Sequence, residues 1–235
     1  MRHDASQVAS NPARSQRRAE RVEELVDRPG FSLPLRNALA ELVIAALEDD
    51  DAAQALVWLE TSTDDPPPAA AARLTAVHLI DPGERRLLAV HAPHALRVSD
   101  HVGRALRAMA AFRQQPAAWE PLARAIQHAV ALWNEQLFFE VHEVLEAVWR
   151  TATGDVRQGL QGVIQIAVAF HHLAHGNQRG ARSLLVEGRA RVASVPADAL
   201  PGLDLPALLQ ATAPLAAALA SGQRPVAPPP RIVSR

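Results

Sequence analysis

The middle of the chain reads FFEVHEVLEAVWR over residues 138–150, and no other segment concentrates as much side-chain chemistry. At 3.6 residues per turn, His142, Glu146 and Trp149 share one face of a predicted helix. The neighbouring face is apolar and suits a core: Val141, Leu145 and Val148. An unpaired polar group beside a core is costly. His142 and Glu146 are therefore expected to bond to each other, to bind a metal ion or to transfer a proton.

Hydrophobic periodicity predicts helices almost throughout, so the expected fold is all-α, a compact array or bundle of antiparallel helical hairpins. The predicted helices cover residues 16–27, 33–48, 52–60, 70–79, 83–92, 100–113, 118–133, 137–150, 156–175, 178–194 and 205–221. Two interpretations are open for Asp81-Pro82-Gly83-Glu84, which can form a hairpin turn or begin a helix. We favour the helix there.

Capping residues mark several of these boundaries. Asp155 with Gln158 has the spacing of a capping box, and Gly176 is a natural left-handed helix stop. Asn177 and Asp204 are expected to cap the two helices that follow them.

Prolines divide the chain, because they cannot continue a helix. The best breaks lie near residues 64–68 and 114–116. The predicted division is a disordered N-terminus at 1–15, an accessory helical region at 16–115, a helical domain at 116–221 and a Pro/Arg-rich tail at 222–235. The expected core of the helical domain consists of Val141, Leu145, Val148, Ile164, Val168 and Leu184.

Composition excludes several classes of function. All 24 positions in the combined Lys+Arg count are arginine, so Schiff-base lysines, pyridoxal phosphate enzymes and GxxxxGK[ST] phosphate loops are excluded. Cysteine is absent, so any metal site must use His, Asp or Glu. The net charge is −1 and the basic residues are scattered, so no nucleic-acid partner is expected. No apolar stretch suits a membrane span or a signal region, which predicts a cytoplasmic protein without a membrane partner.

Several spaced motifs together resemble the domain of unknown function 309 family, which is described by an HxxxExx(W/Y) signature. The motifs are Trp133-Asn134, residues 138–149, Gln161-Gly162-Val163-Ile164-Gln165, His172, Gly176-Asn177, Gly180-Ala181 and Gly202-Leu203-Asp204. The resemblance covers about residues 118–212 and implies an all-helical fold with a suggested metal-binding role for the signature. One position departs from the family, because Gln136 stands where such proteins commonly have Gly. A left-handed turn there is strained for Gln.

The metal hypothesis places His142 and Glu146 on one ion, because residues at i and i+4 of a helix lie side by side. A partner helix must add a ligand, and His172 is the best donor. Glu143 is then the candidate general base on a bound water. Zinc, iron or manganese suits such a site, with an unknown small molecule or protein as partner. Four residues are expected to support it: Glu140, Trp149, Gln161 and Gln165.

The alternative hypothesis is a non-catalytic structural or interaction module. In that interpretation His142, Glu146 and Trp149 form a buried hydrogen-bond network that fixes helix packing. The network would maintain a groove for a partner helix or for the Pro/Arg tail of the chain itself.

Overall fold

The computed structural model describes residues 30–61, 65–83, 85–116, 118–223 and 228–232. Nine α-helices fall within these ranges, and the predicted all-α fold is confirmed. They are α1 Leu33–Ala46, α2 Asp50–Thr61, α3 Pro68–Ala76, α4 Ala95–Arg113, α5 Pro121–Asn134, α6 Phe138–Trp149, α7 Gly154–Ala174, α8 Gln178–Ala193 and α9 Leu205–Ala220. The predictions for residues 1–15 and for a helix at 16–27 lie outside the described residues.

One continuous core joins helices from α1 to α9, and α6 packs against α5, α7 and α1. Val141 and Leu145 are fully buried, as predicted, while Val148, Ile164 and Leu184 are half-buried at the edge of the core. Val168 is also only half-buried. The face of α7 that enters the core is instead formed by Leu160, Val163, Ile166, Ala167 and Phe170. That the region 116–221 folds alone stays a prediction.

A close approach between two glycines fixes how α7 lies against α8. A Cβ atom on Gly162 would lie 2.8 Å from the carbonyl oxygen of Gly188 and 2.7 Å from a methyl carbon of Val192. Only glycine allows two helix backbones to come this near. The contact therefore determines which side chains of α7 face α8 and which face the core.

The predicted helix at 83–92 is wrong, and the hairpin alternative is nearer to the structure. Ile80 and Leu87 form an isolated antiparallel bridge across the turn. Asp81 closes that turn, because its carboxylate accepts a hydrogen bond of 2.8 Å from the amide of Gly83. A 3-10 helix then runs over Ala89–His94 and contains Pro93.

Most of the predicted boundary residues behave as expected. Gly176 has φ +74°, and Asn177 and Asp204 each accept a hydrogen bond from a backbone amide in the first turn of their helix. The predicted cap at Asp155 is wrong. Helix α7 begins after Thr153 with no side-chain cap, because Gly154 turns the chain with φ +57°.

The turn between α5 and α6 contains Gln136, the residue for which the sequence indicated a strained left-handed backbone. Gln136 adopts φ +60°, in the left-handed region. The turn is closed by a hydrogen bond of 3.0 Å from the amide of Leu137 to the carbonyl of Leu132. Arg104 on α4 also donates to the Gln136 carbonyl at 3.3 Å. These bonds hold a conformation that a non-glycine residue rarely adopts.

Residues 228–232 dock against the same turn. The indole of Trp133 donates to the carbonyl of Pro230 at 2.8 Å. Asn134 donates to the carbonyl of Ile232 and accepts from its amide, both at 2.9 Å. The Ile232 side chain is buried in the core. This part of the tail therefore belongs to the folded structure.

Among the described helices, none has the length and apolar character needed to cross a membrane.

Candidate functional site

Helix α6 presents polar side chains on two different faces. One face carries His142, Glu143 and Glu146, which are half-buried. The other carries Glu140, which is buried at the wall of a large cavity. The segment that the sequence singled out therefore contributes to two candidate sites.

On the outer face, the imidazole of His142 lies between two carboxylates. Its Nδ1 is 3.1 Å from Glu143 Oε1, and its Nε2 is 3.6 Å from Glu146 Oε2. One ligand atom from each residue can be chosen so that all lie within 4.8 Å of one another. The group is thus compact enough to hold a metal ion after small side-chain movements.

The structure does not bring His172 into this group. The ring Nδ1 of His172 lies 3.1 Å from the side-chain nitrogen of Asn177, in the turn after α7. Gln165 is engaged with α8, where its amide donates to Glu187 at 3.1 Å. Gln161 is half-buried on α7. The predicted set of His142, Glu146 and His172 is therefore not assembled, and Glu143 takes the place of His172.

Trp149 does not join His142 and Glu146 in a buried network. Its ring stacks under the guanidinium of Arg157 at 3.8 Å, and its indole nitrogen is buried without a hydrogen-bond partner. Arg157 also donates to the Trp149 carbonyl at 2.7 Å. His142 and Glu146 are 27% and 30% exposed, so the predicted burial of the network is wrong as well.

A cavity of about 670 Å³ lies on the other side of α6. It is partly open to solvent and is lined by residues 30–31 and by residues of α1, α4, the α5–α6 turn, the first turn of α6, the end of α7 and the docked tail. Charged and titratable residues form much of its lining: Arg36, Arg97, Arg104, Arg107, Arg231, Asp100, Glu135, Glu140, His101, His171 and His175. These charged residues surround one partly open space.

Glu140 and His101 form the most buried charged contact of the cavity. Their Oε1 and Nε2 atoms are 2.9 Å apart, although the approach is not aligned for a hydrogen bond. Burial raises the pKa of the Glu140 carboxyl, but the attraction of His101 and Arg104 outweighs burial, so that this pKa lies below its usual value. Sequence reasoning treated Glu140 as a supporting residue and missed His101, because nothing local to His101 indicates a partner on another helix.

His171 is the other perturbed group of the cavity. Burial lowers the pKa of its imidazole to about 4, assisted by the nearby charges of His175 and Arg36. His171 is therefore neutral at pH 7 and can both donate and accept a hydrogen bond.

The residues of the outer face, His142, Glu143 and Glu146, and the buried Glu140 all lie in a segment that matches a known protein family. Residues 126–184 match the model of a family described as Domain of unknown function (DUF309). An uncharacterized protein of Aquifex aeolicus (strain VF5) is 27% identical over 84 residues, which make up 35% of this chain and 25% of that protein. The match thus spans about a quarter of that relative's length. No solved structure matches the chain.

Proposed function

We propose that the outer face of α6, which lies in the segment 126–184 that matches the DUF309 family model, binds a divalent metal ion through His142 Nε2 and Glu146. The observation that carries this proposal is the position of one imidazole between two carboxylates on a partly exposed helix face. Imidazole and carboxylate together suit zinc, iron or manganese.

The two carboxylates cannot have the same role. Glu146 approaches Nε2 of His142, whereas Glu143 approaches Nδ1 on the opposite side of the ring. One ion bonds to only one ring nitrogen. Metal-bound histidines commonly donate their other N–H to a carboxylate, which fixes the tautomer and the orientation of the ring. This geometry favours Glu143 as an orienting residue over the role of general base.

The site has room for water, since its three side chains are between 27% and 39% exposed. Two protein ligands leave several coordination positions for water or substrate. A bound divalent ion would supply an activated water for hydrolysis. The proposed activity is accordingly hydrolase-like, and the proposal names no substrate.

One neighbouring cation would compete with the metal ion. The Arg150 guanidinium lies 3.4 Å from Glu146 Oε2, and its side chain is 68% exposed. Because the arginine is exposed, it can move away when an ion binds. The cost of that movement weakens metal binding.

A second candidate function is a non-catalytic interaction module. It is supported by the docking of residues 228–232 onto Trp133 and Asn134, because this turn already holds a segment of the chain itself. In that case His142 and its two carboxylates are an ion-pair cluster that stabilises α6, without a metal.

Titration of the full chain with Zn²⁺ and Mn²⁺ by isothermal calorimetry tests the metal proposal. We expect binding by the native protein, loss of binding in His142→Ala and unchanged binding in the matched control His172→Ala. If neither ion binds, or if His172→Ala and His142→Ala lose binding equally, the proposal fails.

A further inference from the structure

We propose that the cavity beside α6 is a binding site for a small organic anion carrying phosphate or carboxylate groups, with Arg36 and Arg231 as the residues that pair with it. The proposal rests on other residues than the proposed metal site, so either can fail without the other.

The size of the cavity suits a metabolite. Ligand sites for small molecules commonly have volumes of about 300–1,000 Å³, and this cavity has about 670 Å³. A concave site of this size cannot accommodate a nucleic-acid duplex. The charge of the lining then determines which small molecules it favours.

The cavity has more positive than negative side chains. Five arginines line it against three carboxylates, which leaves two positive charges in excess before any histidine is protonated. The carboxylates are already paired within the protein: Glu135 with Arg107 at 2.7 Å, Asp100 with Arg104 at 3.2 Å and Glu140 with His101 at 2.9 Å. The excess positive charge therefore lies on other arginines.

Arg36 is held in position but has no acidic partner among the described residues. Its guanidinium stacks on the ring of Phe139 at 4.1 Å. Its Nε is buried without a hydrogen-bond partner. Stacking fixes the plane of a guanidinium and leaves its edge free to bind an anion through two parallel hydrogen bonds. A buried donor without a partner is costly, and a bound anion can remove that cost.

Arg231 brings a second cation from the docked tail. The hydrogen bonds of Asn134 to Ile232 fix the backbone next to Arg231. The Arg231 side chain is exposed at the cavity wall and has no acidic partner in the part of the chain that the structure describes. The tail thus supplies a charge to the cavity as well as a wall.

Apolar side chains also line the cavity, which favours an organic anion over an inorganic one. They are Phe31, Leu137, Phe138 and Phe139. Few polar groups beside apolar surface are typical of sites that bind organic ligands. The ligand is therefore expected to have an apolar part as well as its charged group.

Two probes that have an apolar ring separate the two anion chemistries: phenyl phosphate for phosphates and phenylacetate for carboxylates. Each is titrated into the full chain at constant ionic strength by isothermal calorimetry. The variants are Arg36→Gln and Arg231→Gln. The matched control is Arg182→Gln, which removes the same charge from an exposed position on α8 outside the cavity. We expect the native protein and the control to bind at least one probe, and Arg36→Gln to bind it about tenfold more weakly or worse.

A spectroscopic readout locates the bound probe. The indole N–H of Trp133 donates to Pro230 at the cavity wall. Its NMR signal should shift when the probe binds, while that of Trp119, which is exposed to solvent, should not. If Arg36→Gln does not fold by circular dichroism, the exposed Arg231→Gln decides the result. Absence of binding for both probes, or equal binding by the cavity variants and Arg182→Gln, would overturn the proposal.

Discussion

Asn134 binds both backbone groups of Ile232, donating to its carbonyl and accepting from its amide at 2.9 Å. The side-chain amide thus pairs with the tail much as a neighbouring β-strand would. Asn134 lies at the end of α5, next to the strained turn at Gln136. Together with the bond from Trp133 to Pro230, the side chain of Asn134 therefore holds the tail against the end of α5.

Replacing Asn134 with Ala should destabilise the protein by about 1–3 kcal/mol, because the amide and carbonyl of Ile232 lose their partner in a partly buried place. Urea denaturation followed by circular dichroism measures the change. The control is Asn37→Ala, an exposed position on α1, which should change stability by less than about 0.5 kcal/mol. Equal effects of the two substitutions would mean that the hydrogen bonds between Asn134 and Ile232 contribute nothing measurable to stability.

Stability should fall as pH decreases from about 6.5 to about 4, because of His171. Its pKa in the folded protein is about 4, below the ordinary value of 6.5. The unfolded chain therefore binds more protons in this range, and protonation favours unfolding. We expect a loss on the order of 1–2 kcal/mol after allowing for partial exposure of the ring. His128, whose pKa burial also lowers, acts in the same direction.

His171→Gln isolates the contribution of His171 to that pH dependence. The variant should lose less stability than the native protein between neutral pH and pH 4, as measured by urea denaturation at several pH values. His172→Gln, one residue further along α7, serves as the control. An unchanged pH profile in His171→Gln would contradict the assigned pKa.

Removing the cation that competes for Glu146 should strengthen metal binding. Arg150→Gln eliminates the contact of 3.4 Å with Glu146. An exposed ion pair contributes roughly 0.2–1 kcal/mol, so affinity for Zn²⁺ should rise by up to about fivefold. Calorimetric titration measures this, with Arg182→Gln as the control for a general change in charge. Weaker binding in Arg150→Gln would place the ion elsewhere.

Adding one methyl group between α7 and α8 should destabilise the protein. In Gly162→Ala the new Cβ would lie within 3 Å of the Gly188 carbonyl and of Val192, so the helices must separate. Overpacking of this kind costs about 1–3 kcal/mol. Gly103→Ala on α4 is the matched control, because its new Cβ meets only the ends of two flexible side chains, Glu60 at 3.4 Å and Arg107 at 3.8 Å. That control should be neutral or stabilising, since Ala is the better helix former. Thermal denaturation of both variants makes the comparison.

Apart from the helix at 83–92, the sequence predicted the described helices and several of their caps because those features depend on neighbouring residues. Asn177 and Asp204 cap helices through bonds to residues three positions away. The site was harder to predict, because whether His172 reaches His142 depends on how two helices are rotated against each other. That rotation is linked to the contact of Gly162 with Gly188, which periodicity alone does not reveal.

The cavity was missed for the same physical reason. Its walls come from segments far apart in the chain, and neither His101 nor Arg36 has a local pattern that marks it. The position of Glu140 beside His142 was visible in the sequence. Its burial against His101 was not, since that contact joins α4 to α6.

The docking of residues 228–232 has a consequence for the order of events during protein synthesis. The bonds from Trp133 and Asn134 reach 97 and 98 residues along the chain. A ribosome makes every described helix before it makes this segment. Until the segment has left the ribosome, the indole of Trp133 and the side-chain amide of Asn134 therefore lack these partners and form hydrogen bonds with water instead. Contacts between such distant residues form late in folding, because closing a long loop costs entropy first. The nascent protein consequently passes through a stage in which α5 and α6 have been made and one wall of the cavity is still missing.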